Sequence, residues 1–311
     1  MAFLNALPGA VAQGLIWGLM AIGVYISYKI LDIADLTVDG SICTGACVCA
    51  VLIGMGVPAW ASVLIALLAG AVTGVVTGLL HTKLGIPSIL AGILTQLMLY
   101  TVNLLTLSGK SLLAIDPRAN QLLVHMSDNT GSIISLAIIA VITIFALYKF
   151  FYTEVGLTLK STGDNPDMSR AQGVDVNRNK VVGLAIANGI VAMAGALLAQ
   201  YKGSANINDG RGAIVIGLAA IFIGLSISLK IKPNFVVSLI GVIGGGIIYY
   251  IVYNVVILLG LKTDYLKMLS ALIVALFLGI PYLKATYFTK YKDLHPSKIT
   301  SQTGPGGDDN A

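Results

Sequence analysis

Along this chain apolar residues come in long uncharged runs, and polar residues gather in short clusters between them. No Asp, Glu, Lys or Arg falls within 1–28, 40–82, 84–109, 181–201, 212–229, 233–261 or 268–283. About 20 apolar residues suffice to cross ~30 Å of hydrocarbon as a helix. The 40–82 run is too long for one crossing and is split by "GMGVP" at 54–58, where Gly and Pro mark a turn. With the apolar segment at 131–152, the pattern predicts an all-α polytopic membrane protein of about nine spans. They fall near 9–29, 40–54, 58–81, 86–107, 131–152, 180–201, 212–229, 234–260 and 265–283. The first is read as a span and not a removed signal, because no basic n-region or small-residue cleavage site accompanies it.

One polar cluster has internal structure. "STGDNPDMSRAQGVDVNR", 161–178, lies between the fifth and sixth spans. Asn165 suits an N-cap, Pro166 the first helical position, and Asp167 the positive helix start. Gly173 suits the position just past the end. The spacing predicts a helix over 166–172, with Met168 and Ala171 on one face. So short a helix is unstable alone. Packing must hold it, either against its own spans or against another protein.

Composition agrees with the membrane reading. The 311 residues are 57% hydrophobic and 11% charged, where a soluble domain carries about 25% charged residues. Mean hydropathy is +0.89. The net charge of +5 fits loops beside anionic lipid and implies no nucleic acid. Lys and Arg favour the cytoplasmic side. With the C-terminus inside, Lys110, Arg118, Lys202, Arg211, Lys262 and Lys267 lie outside, leaving the other 13 of 19 basic residues inside. This bias puts the N-terminus out, the C-terminus in, and 161–178 in the cytoplasm. Cys43, Cys47 and Cys49 share one span without metal or disulfide spacing and read as small packing residues.

The text around the short helix carries a resemblance. "GLTLKSTGDNPDMSRAQGVDVNRNKVVGLAIANGIVAMAGALLA" resembles the cytoplasmic loop of ABC-importer permeases of the branched-chain amino acid and ribose permease superfamily. Gly156, Leu159, Gly163, Asn165, Pro166, Gly173, Val176 and Lys180 match that family's pattern. "ILDIADLTVDGSICTGACVCAVL" is similar to the family's segment between the first spans. "HTKLGIPSILAGILTQLMLYTVNL" and "GAIVIGLAAIFIGLSI" look more specifically like a branch often encoded as tryptophan or tyrosine transport permeases. That branch commonly has Glu soon after the last motif, whereas Leu225 and Ser226 stand here.

The resemblance implies a transmembrane permease domain over 1–283, with a coupling loop at 153–180, and a cytoplasmic, largely disordered tail at 284–311. It implies a coupling helix seated on a cytoplasmic ABC ATPase through Asn165, Pro166, Asp167, Met168, Ser169, Arg170, Ala171, Gln172 and Gly173. A second transmembrane subunit (a homodimer), an extracytoplasmic binding protein and the lipid of a bacterial plasma membrane complete the set of partners. The cargo would be a small solute, an amino acid foremost and an aromatic one among the candidates. The chain itself would be no enzyme and carry no cofactor, with ATP bound by the partner. "SGKS" at 108–111 is its nearest approach to a phosphate-binding loop, but the required first Gly is Leu104.

Intramembrane polar residues are expensive and should face the bundle or a cavity. Asp32, Asp35 and Asp39 form one cluster, read either as an acidic loop cap or as a broken helix beside the pathway. In the second case Thr37, Asp39 and Ser41 face a cavity. Gln96, Tyr100 and Asn103 share one helix face, and Asn188 sits amid the sixth span. Interhelical hydrogen bonding and substrate contact both account for them. Gly70, Gly74 and Gly78 read as helix packing, as does "GVIGGG" at 241–246. The 108–130 loop, with Arg118, is a candidate for docking a binding protein. An ion-coupled secondary transporter is the alternative function, but it needs charged coupling residues in mid-span, and outside 32–39 the spans have none. An intramembrane enzyme would need a motif such as H-E-x-x-H or G-x-S-x-G, which is missing.

Overall fold

The computed structural model describes residues 2–116, 122–228 and 234–258, and single positions at 268, 271, 272, 275 and 279. The ninth predicted span, the 284–311 tail and Arg118 lie outside the described residues, apart from those single positions. Ten α-helices follow one another in the described chain: α1 Ala2–Tyr25, α2 Val38–Gly54, α3 Ala59–Thr82, α4 Ser88–Thr106, α5 Asn129–Phe151, α6 Glu154–Asp164, α7 Pro166–Ala171, α8 Val176–Lys202, α9 Ala213–Ser228 and α10 Phe235–Leu258. Six of the helices are long and apolar enough to cross a membrane, and α2 and α9 are shorter apolar helices. The protein is all-α and polytopic.

Helices α1 and α8 form the centre. Most of their apolar length is buried, whereas α3, α4 and α5 turn Leu64, Leu68, Leu97, Leu105, Ile138 and Phe145 outward. An apolar exterior with a small-residue interior suits lipid, where close packing drives association in place of the hydrophobic effect. The small residues are where the pattern expects them. Gly70, Gly74 and Gly78 of α3 lie directly on Ala192, Leu184 and Val181 of α8, with no room for a Cβ. Gly241, Gly245 and Gly246 of α10 pack the same way against Gly224, Ala220 and Gly18.

Helix α1 ends in a π-helical turn, Ile26–Ile30. Asp32 follows in the left-handed region at φ 54°, and the chain stays irregular until Val38. This connection is interior: Leu31, Ile33 and Asp35 are buried, and Gly92 of α4 backs onto the Leu36 amide. Its depth follows from its neighbours. Ser41 in the first turn of α2 bonds Asn188, which lies twelve residues past Val176 at the start of α8, or about 18 Å along it at 1.5 Å per residue. Helix α2 therefore begins deep in the bundle, at a break in the helical backbone.

Two short strands, β1 (Leu112–Ala114) and β2 (Ser204–Asn206), pair antiparallel with Leu113 opposite Ala205. They tie the segment after α4 to the end of α8. That face is opposite the one carrying α6 and α7, because α8 runs from one to the other.

Candidate functional site

At the start of α8 the chain builds an elbow from two helices with a cap at each turn. Thr153 accepts a hydrogen bond from the Gly156 amide and starts α6. Asn165 Oδ1 accepts from the Met168 amide at 3.0 Å, with Pro166 in the first turn. After α7, Gly173 takes φ 83°. The Val174 amide then donates to Ser169 O and the Gly173 amide to Arg170 O, at 3.0 and 2.9 Å. This left-handed end satisfies carbonyls that a helix terminus otherwise leaves open. Asp175 Oδ1 accepts from the Arg178 amide and starts α8.

The elbow is pinned from within. Gly163 of α6 backs onto the Ile30 carbonyl at the end of the π turn. Asn179 Nδ2 donates to Thr162 Oγ1 at 3.0 Å. Ser169 alone of the nine candidates in 165–173 is buried, with its hydroxyl 3.3 Å from that of Ser161. Asn165, Pro166, Asp167, Met168, Arg170, Ala171, Gln172 and Gly173 all face outward. Met168 is 59% exposed. Asp167 and Arg170 pair with each other at 3.2 Å in full contact with solvent. The elbow is a rigid knuckle whose inner side is spoken for and whose outer side is open.

The other polar candidates separate into two groups. Thr37, Ser41 and Asn188 are fully buried and meet in a network at the broken connection. Asn188 Nδ2 donates to Asp35 Oδ2 at 2.6 Å and to Leu184 O at 3.1 Å, and its Oδ1 accepts from the Ser41 hydroxyl at 2.7 Å. Ser41 Oγ lies 2.7 Å from Thr73 Oγ1. The Thr37 amide donates to Asp35 Oδ1 at 2.9 Å, and its hydroxyl meets that of Thr77 at 2.7 Å, which continues to Thr95. Four helices and the connection are joined in this way. A buried carboxylate must be hydrogen-bonded, and Asp35 is.

Asp39, Gln96, Tyr100 and Asn103 form the second group. They line one cleft of 360 Å³ between α2, α4 and the connection from β2 to α9. Asp39 does more than line it: its two oxygens accept from the Gly212 and Ile214 amides at 2.9 Å each, so it caps α9 from another helix. Cys43 fastens the same connection, accepting from the Gly210 amide at 3.1 Å and donating to Ile207 O at 3.3 Å. Asn103 Oδ1 is buried without a hydrogen-bond partner among the described residues. Arg211 completes the wall. Asp32 is exposed, so the three aspartates have three separate environments.

Several of these residues were not foreseen from the sequence. Thr73 and Thr77 sit four apart on the glycine face of α3, and that spacing was the available signal. Arg211 looks like any basic loop residue until the fold places it beside Asp39. Gln200 is buried too, joining the Leu123 amide and the Ala59 carbonyl.

Comparison with known proteins gives the family. Residues 7–279 match the family described as "Branched-chain amino acid transport system / permease component". The chain is 36% identical over 277 residues to a tyrosine transport system permease protein of Clostridioides difficile (strain R20291), covering 89% of this chain and 91% of that one. It is 30% identical over 244 residues to an autoinducer 2 import system permease protein of Yersinia pseudotuberculosis (serotype IB), covering 76% and 67%. Identity to the ribose import permease protein of Escherichia coli (strain K12) is 24% over 275 residues, covering 88% and 84%. No solved structure matches the chain. Permeases of such systems work with an ATPase and a binding protein and typically need no cofactor of their own. The chain belongs to this permease family: it is a multi-pass transmembrane subunit of an ABC importer in the bacterial plasma membrane, and ATP hydrolysis falls to a separate subunit.

Proposed function

We propose that two copies of this chain enclose a pathway for an amino acid delivered by an extracytoplasmic binding protein, with α7 seated in a groove of the ATPase. The observation that carries the coupling role is the knuckle itself: a two-turn helix, fully capped, whose one buried side chain is Ser169 and whose Met168 and Ala171 stand outward. A mere connector has no need of an open apolar patch on a helix this well stopped. ATP-driven closure of the ATPase pair would move each α7. The Gly163–Ile30 contact would pass that motion to the broken connection at 31–37.

The path reading narrows to Asp39, Gln96, Tyr100 and Asn103, because they line a cleft. Ser41 is bonded to Asn188 and Thr73, and Thr37 to Asp35 and Thr77, so these three hold the walls. An amino acid cargo is supported by the tyrosine transport system relative, whose identity exceeds that of the ribose permease. Nine spans, with the N-terminus outside and the C-terminus inside, put α7 on the ATPase side.

The solubilised protein should copurify with an ATPase subunit and contain two transmembrane subunits. Transport by this chain alone in liposomes, driven by an ion gradient, overturns the reading. The topology has its own test. Cysteines placed at Ser127 and Ser297 should be labelled from opposite sides of the membrane, Ser297 from the cytoplasm. The native cysteines are all buried and give little background. Labelling from one side removes a span.

A further inference from the structure

The broken connection runs straight into the start of α2, and residues 35–40 border two separate clefts. Asp39 and Gly40 line the 360 Å³ cleft together with Gln96, Tyr100 and Arg211. Asp35 and Leu36 line another, of 220 Å³, together with Tyr28, Ile89 and Ile214. The first lies beside Ile207, just past β2. The second lies beside Ser27 of the π turn, the turn on which Gly163 of α6 rests. Helix α4 passes both, with Ile89 at one and Gln96, Tyr100 and Asn103 at the other. The clefts therefore follow one another along α4, toward opposite faces. Between them the packing is tight. Gly92 backs onto the Leu36 and Thr37 amides and Gly40 onto Gln96 and Leu99, each without room for a Cβ. Thr37, Val38 and Ala213 are buried at this level. The remaining side is closed by the first turn of α9, which the Asp39 carboxylate grips through the Gly212 and Ile214 amides.

We propose that the two clefts are the outer and inner halves of one translocation path, and that Asp39 is the positioning residue that latches the seal between them. Both its oxygens are committed to one helix end, where amide dipoles favour an anion. The same turn of α2 is tied to α3 and α8 by Ser41, through Thr73 and Asn188. The element that comes free when Asp39 lets go is therefore α9. The latch is also within reach of the elbow. Gly163 of α6 meets Ile30, and the irregular segment 31–37 joins Ile30 to the turn that carries Asp39. A shift of the elbow is passed along this segment and draws the carboxylate off the α9 amides. Arg211 lines the cleft that Asp39 lines, so the released carboxylate meets a guanidinium, a strong partner for it. Opening then exchanges one set of charge-assisted bonds for another and leaves no charge stranded.

This inference rests on the path reading and on α7 facing the cytoplasm, and its test separates them. Ile89→Cys and Tyr100→Cys, made singly in the full chain in membrane vesicles, report on the inner and outer clefts. Both fall in the tryptic segment 84–110, which holds no native cysteine, so labelling by a membrane-impermeant maleimide is read on that peptide. With Asp39 in place, position 100 should label from outside and position 89 from the cytoplasm. Asp39→Ala should make position 89 label from outside at least about tenfold faster, because charge-assisted bonds that hold the closed state are lost. Asp39→Asn, which keeps one acceptor oxygen, should act in the same direction and more weakly, and is the second variant should the first fail to fold. Cys47 and Cys49, both 0% exposed on α2, should stay unlabelled in either variant. General loosening of the bundle would label them along with position 89, and that result overturns the latch. So does unchanged labelling at position 89 in the folded variants. Labelling of positions 89 and 100 from the same side, with Asp39 intact, overturns the seal and the path reading together. Labelling from opposite sides but in the reverse sense upholds the seal and refutes only the orientation.

Discussion

The α7 elbow and the polar network around Asn188 are made of the same residue types and behave in opposite ways. In the elbow the hydrogen bonds that shape the outer face of α7 are local: the Met168 amide to Asn165, Arg170 to Asp167, Ser169 to Asn165. In the network the bonds join distant segments: Asn188 to Asp35, Ser41 to Asn188, Thr37 to Thr77. Local bonds finish a shape and leave its outer face free. Long-range bonds fix how helices sit against one another. The elbow can therefore serve an outside partner without affecting the fold, while the network has no spare group to offer one.

The sharpest way to break this contrast is at Asn188. Asn188→Leu removes three bonds at once, strands Asp35 Oδ2 in the interior and leaves the Ser41 hydroxyl with Thr73 as its one partner among the described residues. Unpaired buried groups cost roughly 1–3 kcal/mol each, and more when charged. The expected outcome is a drop in the unfolding midpoint large enough to reduce the yield of monodisperse protein, with ATPase association lost as a consequence. Adding Asp35→Leu should recover part of the loss, since replacing both partners by apolar groups can be nearly neutral. A single variant as stable as the parent would show that the network is not what positions α2 on α8.

How much of this was legible beforehand depends on the range of the interaction. The short helix was expected over 166–172 and spans Pro166–Ala171, because Asn165, Pro166 and Gly173 act within a turn of their own positions. The glycine stripe of α3 was legible for a similar reason: a repeat of four puts small residues on one face whatever they meet. The break at 31–37 was only half legible. Three aspartates flagged it, but no local rule distinguishes an exposed Asp32 from a buried Asp35 or a capping Asp39. Those roles depend on Asn188 and the α9 amides, 153 and 175 residues away at their farthest. The segment before α7 was read as loop and is helix α6, since it gains its stability from packing on α8 and the π turn. Pairing of β1 with β2 is tertiary in the same sense.

On the elbow side, Ala171→Glu sharpens the comparison. Ala171 is exposed on a capped helix, and Glu is a good helix former, so folding and membrane insertion should be unchanged. If the outer face of α7 is buried in the ATPase, the new carboxylate enters that contact without a partner. Uncompensated buried charge costs several kcal/mol, and each ~1.4 kcal/mol is tenfold in affinity. Association and transport should fall together by at least tenfold, with the unfolding midpoint held. Association at the parent level would reduce α7 to a connector.

Arg170→Ala should have the smallest effect, and it tests where the edge of that contact lies. The Arg170 side chain is 57% exposed and its only ion pair among the described residues is with Asp167, one turn back and itself 88% exposed. Such a pair is worth a few tenths of a kcal/mol, and α7 keeps its Asn165 cap and its Gly173 stop without it. The fold should not register the change. Toward the ATPase, a charge at the rim remains solvated on both sides of the encounter, so its removal should weaken association about two- to threefold. The effect should also shrink as salt is raised, because exposed charges more than ~10 Å apart are screened at 0.1 M. A loss as deep as that of Ala171→Glu, insensitive to salt, would place the guanidinium inside the desolvated contact and move the centre of the docking surface from the Met168–Ala171 face to the Asp167–Arg170 face.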